Sequence, residues 1–95
     1  MFTEKDFERI DTEYFHILKM GGFVITLKSR CTGHCWHIVF ASGGVRIPGA
    51  ENYCIVYHTH TENTPYHLHA RKRNLNAIIK MIKKHDVYAK KQLPK

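Results

Sequence analysis

The sequence predicts an α+β fold with a short N-terminal helix, an antiparallel meander sheet of four or five strands, and a C-terminal amphipathic helix packed on one sheet face. Three observations indicate it: a capped apolar stripe at the start, alternating β-compatible runs joined by short turns, and a helical apolar period near the end. With 95 residues, of which 43% are hydrophobic, the chain fits one domain over 1–95. We expect residues 91–95 to form a frayed tail.

The first element is predicted from a helix-capping pattern. Thr3 stands three residues before Asp6, the spacing of an N-cap with an acidic first turn. Phe7 and Ile10 supply a short apolar stripe. We therefore expect a helix of two or three turns here.

The strands are predicted from alternating runs that flank turn sequences. Gly21-Gly22 separates the runs 14–20 and 23–30, which favours a hairpin over a first helix that continues to Lys19. A second hairpin joins 23–30 to 35–40 through a four-residue turn at 31–34. Its predicted cross-strand pairs are Leu27 with Ile38, Ile25 with Phe40, Lys28 with His37, and Arg30 with Cys35.

The second half of the sheet follows a loop. Residues 41–52 contain three glycines and a proline, which predicts a loop. The runs 53–60 and 66–70 then flank a turn that ends at Pro65, which predicts a third hairpin. Over 73–86 the apolar spacing i, i+3, i+4, i+7 predicts an amphipathic helix whose opposite side is basic, through Leu75, Ile78, Ile79 and Ile82.

Strand alternation divides the predicted sheet into two faces, because residues two apart share a face. The face under the helix is predicted to hold the core: Phe23, Ile25, Leu27, Trp36, Ile38, Phe40, Tyr53, Ile55, Tyr57, Tyr66 and Leu68. The open face is predicted to hold Lys28, Arg30, Cys35, His37, Cys54, Val56, His58, His60, His67 and His69.

The histidines on that open face predict a metal site. In the third hairpin His60 is expected opposite His67 and His58 opposite His69, so that four imidazoles form a two-by-two block. Zinc binds imidazole nitrogen and thiolate sulfur in a tetrahedron, and copper or nickel would suit the same donors. The predicted ligands are drawn from His58, His60, His67, His69, Cys35, His37 and Cys54, with zinc as the possible cofactor. The alternative is a bare histidine surface used for stacking or hydrogen bonding.

Basic residues concentrate at the C-terminal end, and the net charge is +7. This segregation predicts a surface for a polyanion, and a solubilising helix face is the alternative. The predicted contact residues are Arg71, Lys72, Arg73, Lys80, Lys83, Lys84, Lys90 and Lys91.

Some classes of protein do not fit the chain. No stretch approaches the ~20 apolar residues that span a bilayer, and the acidic N-terminus is unlike a signal peptide. We therefore expect a cytoplasmic protein. Three cysteines, an odd number, favour reduced thiols or metal ligands over a disulfide framework. Acids are scarce beyond the first helix, and no carboxylate is expected beside the histidine block, which argues against an enzyme.

Four phrases resemble small proteins of phages and mobile elements, a group that includes anti-CRISPR inhibitors: residues 32–38, 57–60, 65–69 and 82–86. That resemblance implies a non-enzymatic binder whose partner is a nucleoprotein, such as a CRISPR-Cas host defence complex. The residues themselves predict a small basic protein that engages nucleic acid or a nucleoprotein complex and has a possible structural zinc site. The alternative is a zinc-dependent hydrolase or phosphoesterase that uses the His-x-His face.

Overall fold

The computed structural model describes residues 1–41, 53–62 and 64–92 and confirms the predicted α+β fold. Its elements are α1 (Glu4–Glu8), β1 (Phe15–Met20), β2 (Val24–Ser29), β3 (Cys35–Ala41), β4 (Tyr53–Thr59), β5 (His67–Lys72) and α2 (Leu75–Gln92). The five strands form one antiparallel meander in chain order. Of the predicted loop at 41–52, Ala41 ends β3 and the remainder lies outside the described residues. Neither described helix has the length and apolar character of a membrane span.

The N-terminal cap is confirmed. The Thr3 hydroxyl accepts a hydrogen bond from the Asp6 backbone N–H at 3.3 Å, and the Asp6 carboxylate accepts one from the Thr3 N–H at 2.8 Å. This reciprocal capping box satisfies donors that a helix start leaves free. The alternative of a first helix that continues to Lys19 is wrong, because that residue lies in β1 and pairs with Thr26.

The β2–β3 hairpin forms, but its predicted register is wrong by two residues. Leu27 pairs with Trp36, and Lys28 pairs with Cys35. The turn starts one residue earlier than predicted, and the Ser29 N–H donates to the carbonyl of His34 at 2.9 Å. Gly33 takes a φ of +77° in this turn, a conformation that glycine adopts without steric cost. Its left-handed backbone therefore determines where the hairpin closes.

Helix α2 covers the sheet with the predicted apolar stripe. Leu75, Ile78 and Ile82 are buried, and Ile79 packs against them. They meet Ile25, Leu27, Trp36 and Ile38 from the sheet, with Phe40 at the margin. Trp36 lies on this face, whereas its neighbour His37 pairs with Thr26 and Tyr57 and lies on the other, as predicted.

The predicted faces of β4 and β5 are wrong. Trp36 pairs with His58 and Ile38 pairs with Val56, and directly opposed residues share a face. The buried side of β4 therefore carries Cys54, Val56 and His58, while Tyr53, Ile55 and Tyr57 are only half-buried on the other side. Three further residues predicted in the core are exposed: Phe23, Tyr66 and Leu68.

Candidate metal centre

A group of six histidines lies at one end of the sheet, on the side that α2 covers. We name it the histidine cluster: His34, His58, His60, His67, His69 and His85. His58 is its centre, since it is only 2% exposed and its ring centroid lies 4.9–5.3 Å from those of the other five. The ring of Trp36 lies 4.2 Å from that of His58 and forms the apolar floor.

Four parts of the chain supply these rings. His34 comes from the β2–β3 turn, and its ring stacks on that of His60, which directly follows β4, with centroids 4.5 Å apart. His67 pairs with His58 across the β4–β5 ladder. His85 comes from α2, where it lies three residues after the buried Ile82 and so on the same helical face.

The sixth ring belongs to His69, which lies at a β-bulge. The register of β4 and β5 shifts between Val56 and Tyr57, which leaves His69 as the extra residue on β5. Its ring lies 5.2 Å from that of Trp36 and 5.3 Å from that of His58. His69 lies two residues after His67 and therefore faces the same side of the sheet.

The structure brings the four predicted histidines together, but not as predicted. His58 pairs with His67 and not with His69, and His60 lies beyond the paired part of β4. The cluster also lies on the helix-covered face, so its assignment to the open face is wrong. Only this placement allows a helix residue, His85, to join it.

Three groups of side chains in the described residues have ligand atoms close enough to hold a metal ion. Within each group these atoms lie no more than 4.8 Å from one another. The groups are His34, His58 and His60; His58, His67 and His69; and His34, His85 and Asp86.

The pKa values of three histidines of the cluster are lowered, so that these rings are neutral at neutral pH. Burial is the main cause that lowers the pKa of His58, to about 3, and the neighbouring imidazoles lower it further. Burial and nearby imidazoles also lower the pKa of His34 and His69. The His58 Nε2 and His34 Nδ1 atoms lie 3.0 Å apart, so one ring donates a hydrogen bond and the other accepts it. Neutral imidazole is the form that binds metal.

A buried carboxylate borders the cluster, contrary to prediction. Asp86 is 1% exposed and accepts hydrogen bonds from the Tyr14 hydroxyl at 2.6 Å and the Thr32 hydroxyl at 3.2 Å. Burial and the bond to Asp86 raise the pKa of Tyr14, which therefore remains a donor. The Nδ1 atom of His85 is buried without a hydrogen-bond partner among the described residues, 3.9 Å from Asp86 Oδ1.

The other predicted ligands lie elsewhere. Cys35 and His37 are on the opposite sheet face, where His37 Nδ1 is 2.9 Å from the Thr26 hydroxyl and Cys35 Sγ contacts the Gly33 carbonyl. Cys54 is on the core face but four residues before His58, about 13 Å along the strand at ~3.3 Å per residue. Burial raises the pKa of both buried thiols. Cys31, Cys35 and Cys54 are all free thiols.

All eight predicted basic contact residues are exposed. Arg71 and Lys72 end β5 and Arg73 lies in the connection, so all three precede α2. The Arg71 guanidinium lies 5.9 Å from the centre of the Tyr53 ring. The remaining five lysines lie on α2: Lys80, Lys83, Lys84, Lys90 and Lys91.

The ligand set predicted from the sequence did not include His34, His85 and Asp86, which belong to the groups that could hold a metal ion. A signal existed for His85, which continues the buried i, i+4, i+7 series of Ile78 and Ile82. Asp86 directly follows His85 in the sequence. For His34 the signal is its place in the run Cys31-x2-His34-Cys35-x-His37, but its position in space depends on the closure of the turn at Gly33.

Comparison of the chain with models of protein families, with curated proteins and with solved structures finds no match. The resemblance to small phage and mobile-element proteins therefore stays a prediction. What the protein does has to be argued from the cluster and the surface around it.

Proposed function

We propose that the protein is a zinc-binding domain and that the histidine cluster is its metal centre. The observation that carries the proposal is the convergence of three-ligand groups on His58, a buried and neutral imidazole. Zinc is bound in proteins by sets of three or four nitrogen and sulfur ligands. Two of the three groups consist of imidazoles alone.

The spacing of the ring nitrogens is compatible with a bound metal. A tetrahedral zinc with Zn–N bonds of about 2.0–2.1 Å holds its ligand nitrogens about 3.3 Å apart. The His58 and His34 nitrogens are 3.0 Å apart, so small ring movements place both on one ion. Access also exists, because His60 and His67 border an open pocket of about 270 Å³. Nitrogen donors and the borderline softness of zinc favour it over calcium or magnesium.

The proposal is tested by measuring the zinc affinity of tag-free protein in competition with a chromophoric chelator. His58→Ala is expected to weaken zinc binding by more than the roughly 10–100-fold that loss of an outer-shell partner causes, because it removes a direct ligand. His16→Ala is the matched control and is expected to bind zinc like the wild type, since His16 is an exposed histidine on β1.

A second variant guards against misfolding of His58→Ala. His67→Ala with His69→Ala removes two rings of β5, the more exposed strand of the site, and is also expected to weaken zinc binding. Wild-type protein that binds no zinc, or cluster variants that bind it like His16→Ala, would contradict the proposal.

We further propose that the exposed side of α2 binds nucleic acid. At about 100° per residue, its five lysines lie within a sector of about 120°, opposite Ile78 and Ile82. Asp86 is the only acid in α2, and it is buried, so no acid of the helix offsets this charge. Tyr88, which is 64% exposed, borders the lysines and offers a ring on which a base can stack. Lysines along one face with an exposed aromatic favour a nucleic-acid strand as the partner.

Salt dependence of binding to a labelled oligonucleotide checks this proposal. Lys84→Ala with Lys91→Ala is expected to weaken binding and to reduce the slope of log K against log salt by about 1–2, because phosphate contacts release counterions. Lys5→Ala, in the acidic helix α1, is the control and leaves both unchanged. An affinity that does not change with salt concentration would contradict a partner bound through its phosphates. An equal affinity of the Lys84→Ala/Lys91→Ala variant and the Lys5→Ala control would contradict it as well.

A further inference from the structure

The donors around the histidine cluster exceed what one tetrahedral ion uses. Two of the three ligand groups share no residue: one consists of His58, His67 and His69, and the other of His34, His85 and Asp86. We propose that the centre binds two divalent transition-metal ions, one on each of these triads. The inference rests on the proposed metal-binding function and deepens it.

The triad that contains Asp86 has the features of an incomplete site. The buried Nδ1 of His85 has no hydrogen-bond partner in the described part of the chain, a costly arrangement for a polar atom. Asp86 Oδ1 lies 3.9 Å away, too far for a hydrogen bond but close to the ~3.3 Å between two ligands of one tetrahedral ion. A cation between the two atoms satisfies both.

The surroundings of Asp86 keep its carboxylate in place for such an ion. Tyr14 donates to Oδ2 at 2.6 Å and Thr32 donates to Oδ1 at 3.2 Å. Hydrogen bonds of this kind orient a metal-binding carboxylate and are part of its site. Three parts of the chain therefore contribute to this triad and its surroundings: α2, the β2–β3 turn with Thr32, and the segment before β1 with Tyr14.

The two triads differ in their donors, so they are expected to differ in affinity. The first offers three neutral imidazoles, and the second offers two imidazoles and a carboxylate. A carboxylate adds negative charge and suits harder ions such as Mn²⁺ and Fe²⁺ as well as zinc. The close approach of His34 and His58, with nitrogens 3.0 Å apart, makes the two sites direct neighbours. Each triad leaves a coordination position for water, as in catalytic zinc sites.

The group of His34, His58 and His60 is the competing arrangement. It takes one residue from each triad, so a single central ion there would prevent both triads from filling. Stoichiometry separates the two arrangements, because the first requires two tightly bound ions and the second requires one.

The ions bound by full-length, tag-free protein can be counted by native mass spectrometry after zinc loading and buffer exchange. We expect two ions in the wild type and in His16→Ala. Asp86→Asn and His85→Gln are each expected to retain one, because they change only the second triad. His67→Ala is also expected to retain one. Asp86→Asn keeps an acceptor for Tyr14, and His85→Gln provides a second variant if the first does not fold.

The outcomes distinguish this inference from the proposed function. A wild type with one ion overturns the two-ion centre but leaves zinc binding intact. A wild type with none overturns both. Two ions in Asp86→Asn and His85→Gln contradict the assignment of the second triad.

Discussion

Replacing Trp36 with alanine is expected to lower the free energy of unfolding by about 3–5 kcal/mol, the usual cost of truncating a buried aromatic ring. Trp36 is fully buried beneath α2, and its indole N–H donates to the Ser29 hydroxyl at 3.2 Å. The alanine variant leaves a cavity and an unsatisfied hydroxyl. It also removes the floor on which His58 rests.

Urea unfolding of chelator-treated protein measures this effect. Phe23→Ala is a suitable control, because Phe23 is a large aromatic residue that is 62% exposed, and its removal is expected to cost much less. Equal losses for the two variants would mean that Trp36 is not a core residue.

Metal-free protein is expected to lose stability as the pH falls from 6.5 to 4.5. The ordinary histidine pKa is 6.5, whereas that of His58 in the fold is about 3. The unfolded chain therefore takes up a proton that the folded chain refuses, and stability decreases as the pH falls through this window. At about 1.4 kcal/mol per pH unit, His58 alone accounts for up to about 3 kcal/mol by pH 4.5. His34, His37 and His69 act in the same direction, because their pKa values are also lowered.

Unfolding free energies across this pH range, measured with a chelator present, check the prediction. His58→Gln is expected to flatten the decline, and His16→Gln is expected to leave it as it is. The bond to Lys28 lowers the pKa of Glu62 below its usual value, so Glu62 stays ionised over this pH range. Loss of the Lys28–Glu62 ion pair therefore does not cause the decline in stability. Stability that is constant or rises toward pH 4.5 would contradict a buried neutral His58.

The order of elements was predictable because each had a strong local signal. Thr3 and Asp6 form the cap that their spacing predicted, and the i, i+3, i+4, i+7 pattern of α2 identified the residues that it buries. The strands followed from alternation and from turns that contain glycine or proline. These signals depend only on residues close together in the sequence, and the elements that they predict are the ones that pack in the fold.

The faces of β4 and β5 were not predictable in the same way. Strand β4 carries apolar side chains on both sides, such as Val56 and Ile55, so its pattern alone does not select the buried side. Pairing with β3 places Val56 opposite Ile38 and thereby turns His58 inward. Pairing of His58 with His67 then places His67 and His69 on the buried side of β5. Both are non-local events, and the histidine cluster depends on them.

The central claim is that the metal ligands are histidines of the cluster and not cysteines. Zinc K-edge X-ray absorption on the zinc-loaded, tag-free protein tests it most directly, because Zn–N and Zn–S distances differ by about 0.2–0.3 Å. We predict a first shell of nitrogen and oxygen alone at about 2.0–2.1 Å, with the multiple-scattering pattern of imidazole. A zinc–sulfur shell at about 2.3 Å would show that Cys31, Cys35 or Cys54 binds the metal and would contradict the assignment to the histidine cluster.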